Sequence, residues 1–66
     1  RTLDDATPED HAVLGHIQLV AARLAKQLGL TKGYRLVVNC NEHGGQTVPH
    51  LHYHLLGGRE LGWPPG

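Results

Sequence analysis

The stretch "GGQTVPHLHYHLLGGRELGWPPG", residues 44–66, contains the run "HLHYH" at 50–54, in which an imidazole recurs at every second position. A repeat of two is the period of a strand, so His50, His52 and His54 are expected on one face and Leu51, Tyr53 and Leu55 on the other. Pro49 has no backbone N–H to give to a ladder, which sets the expected start of the strand at His50. Gly57 and Gly58 end it after Leu56.

Working back from there, the loop from Asn41 to Gln46 reads as a turn. "YRLVVNC" at 34–40 is short, β-branched and bounded by Gly33, which predicts a partner strand. Before it, "ATPEDHAVLGHIQLVAARLAKQLGLTKG" predicts one helix over about 8–28. Thr7 suits its N-cap and Pro8 its first helical position, while Glu9 and Asp10 favour the positive end of the dipole. Val13, Leu14, Ile17, Val20, Ala21, Leu24 and Leu28 recur at three- and four-residue steps and form one apolar stripe. Gly29 and Gly33 supply the stop. The tail 57–66 is too rich in Gly and Pro for a regular element, yet it holds Trp63, the only tryptophan. One helix on two strands leaves sheet edges unpaired, so further N-terminal strands or a second copy of the chain is expected to complete it.

Composition narrows the functional classes. The chain has 66 residues, enough for at most one domain. Six Lys and Arg balance six Asp and Glu, which gives non-specific binding to nucleic acid or to a membrane surface no electrostatic support. Apolar runs such as "LVAA" fall far short of the roughly 20 residues that a spanning helix needs. Cys40 is the single cysteine, so no internal disulfide is possible, and a reduced, cytoplasmic protein is expected. The start at Arg1, without methionine, suggests the C-terminal part of something longer.

Three chemistries compete for the histidine strand. Zinc is one, but residues i and i+4 of a strand lie about 13 Å apart at Cα, too far for ready joint ligation, so the spacing suits two histidines at most. Unused solvent-facing imidazoles are the second. The third is an anion site: a phosphate can meet neighbouring imidazoles, and imidazole serves as nucleophile, donor or acid near neutral pH. Gly44 and Gly45 would let the loop's backbone N–H groups approach that phosphate. Elsewhere, His11 and His16 read as helix-surface residues, His43 as a solvated turn residue and Cys40 as structural. Arg59 either neutralises a phosphate or caps the strand end.

"HLHYHLL" resembles the histidine triad motif, His-φ-His-φ-His-φ-φ, of the HIT superfamily. Together "GYRLVVN", "GGQTVPHLHYHLLGGR" and "WPPG" look more specifically like its Hint branch, the histidine triad nucleotide-binding proteins, over nearly the whole chain from about Asp10 to Gly66. The resemblance implies an α+β, HIT-like antiparallel sheet with one long helix, of which residues 1–66 are the C-terminal part of a single domain. It also implies a purine nucleoside phosphoramidase that acts on AMP or GMP conjugates through a covalent nucleotidyl-histidine, as a homodimer without metal or cofactor. On the same ground His52 is the nucleophile, His50 stands behind it, and His54 hydrogen-bonds the phosphate. Asn39 contacts the nucleotide, Gly45, Gln46 and Thr47 line the phosphate and leaving group, and Trp63 reaches toward the partner's site. Thr47 stands where such proteins commonly have serine, and Pro49 where an ordinary strand residue is usual. The alternatives are a nucleotide-binding or protein-interaction module with vestigial catalysis, and a zinc-binding protein.

Overall fold

The computed structural model describes residues 2–66. Two short 3₁₀ turns, Leu3–Asp5 and Pro8–Asp10, lead into the helix α1, His11–Gln27. Strand β1, Tyr34–Val38, and strand β2, Tyr53–Gly57, then form an antiparallel pair.

Both 3₁₀ turns are closed by one local device, a threonine followed three residues later by an aspartate. The Thr2 N–H donates to Asp5 Oδ2 at 2.9 Å and the Thr7 N–H to Asp10 Oδ2 at 2.9 Å. In return the Asp5 and Asp10 N–H groups bond the Thr2 and Thr7 carbonyls at 3.0 and 2.9 Å. Thr7 and Pro8 thus open the helical segment as the sequence predicts, with one 3₁₀ turn before the α-helix proper.

At the other end of α1, the Gly29 N–H bonds Lys26 O at 3.1 Å and the Leu30 N–H bonds Ala25 O at 2.9 Å. This is the Schellman pattern, and the φ of 74° at Gly29 is what it requires. Leu30 then lies against the end of β2: a Cβ at Gly57 would sit 2.7 Å from Leu30 Cδ1, so a glycine here admits the leucine.

The apolar stripe is covered along one flank only. Ala21 and Ala25, one turn apart, are buried at 6% and 3% exposure. Leu14, Ile17 and Val20 are half-buried, whereas Val13, Leu24 and Leu28 are exposed. Ala25 was outside the predicted stripe, so the line of closest approach runs to one side of its centre. Small residues mark that line because they let the helix backbone come near.

The described surface measures 5403 Å², against roughly 4,100 Å² for a folded monomer of this mass. The radius of gyration is 13.1 Å, against about 11 Å for a closed domain of this length. Exposed Val13, Leu19, Leu24 and Leu28 on the helix contribute to the excess of surface. No helix among the described residues is long and apolar enough to cross a membrane.

The strands are shorter than the sequence predicts. β1 ends at Val38 rather than Cys40, and β2 begins at Tyr53 rather than His50 and ends at Gly57 rather than Leu56. Val38 pairs with Tyr53, and beyond that pair the ladder stops. The chain leaves the ladder on both sides: Asn41, at φ 61°, turns it away after β1, and residues 48–50 bend, with the Gln46 side chain donating to Val48 O and His50 O.

Candidate active site

The three triad rings line up although only His54 belongs to β2. His50 and His52 have ring centroids 6.0 Å apart at an interplanar angle of 64°, and His52 and His54 are 5.0 Å apart at 72°. Each pair is therefore edge to face, as expected when rings share one side of an extended chain. His54 sits opposite Val37 and is held by the sheet. His50 and His52 lie on irregular backbone just before it.

Within this row, His52 Nδ1 lies 3.0 Å from the His50 carbonyl oxygen. A carbonyl only accepts, so the proton of the bond sits on Nδ1. In neutral His52 the other nitrogen, Nε2, then carries a free lone pair. One short intrachain bond thus selects the tautomer and fixes the ring plane. His52 is half-buried, while His50 and His54 are exposed.

The loop before the triad is wired inward. Its backbone passes through Asn41 at φ 61°, ψ −172°, a corner of conformational space used almost only by glycine. Several bonds hold it there. The Asn41 N–H donates to Gln46 Oε1 at 2.7 Å, and Asn41 Nδ2 donates to Asp4 Oδ2 at 2.9 Å. The N–H groups of Gly44 and Gln46 donate to Asn41 O at 3.2 and 3.1 Å, and that of Gly45 to Glu42 O at 3.0 Å. Gly44 and Gly45 therefore do not offer free N–H groups to a phosphate as the sequence suggested. They close a 3₁₀ turn, Glu42–Gly44, with Gly45 at φ 80°. Thr47, two residues on, has no hydrogen-bond partner among the described residues.

Other predicted residues are placed as follows. Asn39, half-buried just past β1, lies against the loop, since a Cβ on Gly44 would be 3.8 Å from its carbonyl carbon. Trp63 is 87% exposed and makes no ring contact with the histidines among the described residues. The chain before it is tied to the sheet, because Arg35 Nη2 donates to Gly62 O at 2.7 Å. Arg59 Nη1 bonds Glu60 O at 3.0 Å, just past the end of β2. His11, His16 and His43 are exposed, and Cys40 is a half-buried free thiol. Among the described residues, no three His, Cys, Asp or Glu side chains are grouped to hold a metal ion. Sequence reasoning missed the bracing by Asn41, Asp4 and Arg35. Neither their types nor their spacing signals it, since each bond joins parts of the chain that only folding brings together.

Residues 1–61 match the HIT domain family. An uncharacterised HIT-like protein of Synechococcus elongatus is 60% identical over 62 residues, which cover 94% of this chain and 54% of that protein. Another, of Synechocystis sp., is 56% identical over 64 residues, covering 97% of this chain and 56% of its own length. Among solved structures, a HIT family hydrolase from Legionella pneumophila Philadelphia 1 superposes with a TM-score of 0.95 at 50% identity, over 98% of this chain and 59% of that one. A histidine triad protein from Clostridium difficile gives a TM-score of 0.87 at 39% identity, over 92% of this chain and 54% of that one. The chain spans about half the length of the curated relatives it matches.

Proposed function

The chain belongs to the HIT domain family, with that family's α+β fold, and from this premise we propose that it carries the catalytic histidines of a Hint-type purine nucleoside phosphoramidase. His52 Nε2 attacks the α-phosphorus of an AMP or GMP conjugate. The N–P bond to His52 forms as the P–N bond to the leaving amine breaks, and the amine departs with a proton taken from solvent, which the hydrolytic water returns in the second step. Water then cleaves the nucleotidyl-histidine and releases the nucleoside monophosphate. Covalent catalysis divides one difficult displacement into two easier ones.

The observation that carries this reading is the bond from His52 Nδ1 to His50 O at 3.0 Å. An attacking imidazole needs a bare nitrogen, and in the neutral ring this bond puts the proton on Nδ1 and leaves Nε2 bare. The two flanking residues take the roles that the family resemblance implies: His50 supplies the carbonyl behind the nucleophile, and His54 hydrogen-bonds a phosphate oxygen. Gly45 and Thr47 border the phosphate and leaving group, with the Thr47 hydroxyl as the available donor, while Gln46 between them turns its amide inward. Asn39 contacts the nucleotide. Trp63, exposed on a tail that Arg35 ties to the sheet, reaches toward the site of a second subunit in a cytoplasmic homodimer. The scheme calls for no metal or cofactor.

In the intact protein, His52→Ala should abolish turnover of a fluorogenic adenosine phosphoramidate, a loss of at least about 10³-fold. It should also remove the covalent adduct from the intact mass spectrum. Undiminished turnover in the variant overturns the assignment. Tight AMP binding by the unaltered protein, with neither turnover nor adduct, would instead mark a binding module with vestigial chemistry.

A further inference from the structure

His50 and His52 have no sheet to hold them, because the β1–β2 ladder ends at Val38 and Tyr53. The carbonyl that orients His52 must therefore be fixed by something else. The nearest candidate is the Gln46 side chain, whose amide is fully engaged. Its Oε1 accepts the Asn41 N–H at 2.7 Å, while Nε2 donates to Val48 O at 3.0 Å and to His50 O at 3.2 Å. Partners at both ends identify which atom is oxygen and which is nitrogen, since an N–H can meet only Oε1 and carbonyls only Nε2.

The His50 carbonyl thus receives two donors, Gln46 Nε2 and His52 Nδ1. A carbonyl oxygen has two lone pairs and can serve both. We propose that Gln46 is a positioning residue for His52, acting through the His50 carbonyl. It need not touch substrate to matter. By pinning the carbonyl it keeps His52 in the tautomer with Nε2 bare, and it couples that ring to the turn anchored at Asn41. The inference rests on the reading of His52 as nucleophile. It departs from what the family resemblance implies for this glutamine, namely that the residue lines the phosphate and leaving group.

The test uses Gln46→Glu in the intact protein, with Gln46→Met as a second variant. Glutamate is nearly isosteric and keeps an acceptor for the Asn41 N–H, but turns its other oxygen toward the carbonyls of Val48 and His50. Methionine removes donor and acceptor without adding charge. For both, kcat should fall about 10- to 100-fold with KM within about twofold, by analogy with the loss of the hydrogen-bond partner that orients a metal-ligating histidine. The loss should be the same for two adenosine phosphoramidates whose leaving amines differ in basicity. A substrate-free readout is the ¹⁵N spectrum of the ring nitrogens of His52. The unaltered protein should show Nδ1 protonated, and each variant a mixture of tautomers. Unchanged kcat, a loss that varies with the leaving amine, or an unchanged His52 tautomer would each overturn the proposal. Should His52→Ala prove active, the nucleophile assignment fails instead, and the tautomer measurement still reports on the Gln46 contact by itself.

Discussion

Between Asn41 and His52 the chain is held by a few directional bonds, each made by one named group: Asp4 to Asn41, Asn41 to Gln46, Gln46 to Val48 and His50, His50 to His52. Along α1 almost the reverse is true. Its coverage comes from an apolar face in which only Ala21 and Ala25 are buried, and neither contributes a side-chain hydrogen bond. The loop is specific and exposed, whereas the helix is redundant and defined by volume. A hydrogen bond exists only when both partners stand within a few tenths of an ångström of one place, but apolar burial accepts many arrangements of similar shape. Aim is what the proposed nucleophile, His52, would need, and the directional region is the one that carries the three histidines.

Substitutions in each region can break this contrast. The largest effect on stability is expected at the tightest part of the helix. Ala25→Leu adds three carbons at a site with 3% exposure and should cost about 1–3 kcal/mol, read from the urea midpoint of the intact protein. A cost near zero would mean that the helix is not closely seated there. A somewhat smaller effect is expected in the loop. Asn41→Ala keeps the unfavourable backbone without the bond to Asp4, and should lower stability by about 1–2 kcal/mol. It should also speed amide exchange at Gly44 and Gln46. Asn41→Gly relieves the strain and should recover most of the loss, so equal damage from both variants would show that the Asp4 bond, and not the backbone angle, decides. The smallest effect is expected on the outer face of α1, where Leu19 is 67% exposed. There Leu19→Gln should stay within about 0.5 kcal/mol of the parent, and a larger loss in the intact protein would reveal that this face is covered.

Much of the fold was legible because it is fixed locally. Thr7 and Pro8 open the helical segment, Gly29 closes it, and the bounded apolar runs mark the strands. The limits of those strands are less legible for a physical reason: alternation alone extends β2 to His50, but the chain bends at 48–50 and leaves the ladder before Tyr53. The helix stripe was misread in a related way. Periodicity finds the whole apolar face, including Val13, Leu24 and Leu28, but cannot tell which flank is covered.

By itself the sequence determined the row of imidazoles, since an extended backbone sends every second side chain to one side whether or not the residues join a ladder. It also carried the family resemblance, because the histidine spacing and the "WPPG" tail are one-dimensional patterns. Only the tertiary structure decided how the row is aimed. Asp4 meets Asn41 across 37 positions of chain, and the Gln46 amide could have turned outward toward a ligand rather than inward to His50 O. Such bonds depend on which groups arrive together when the chain closes, and no pattern of neighbours along the sequence encodes that arrival.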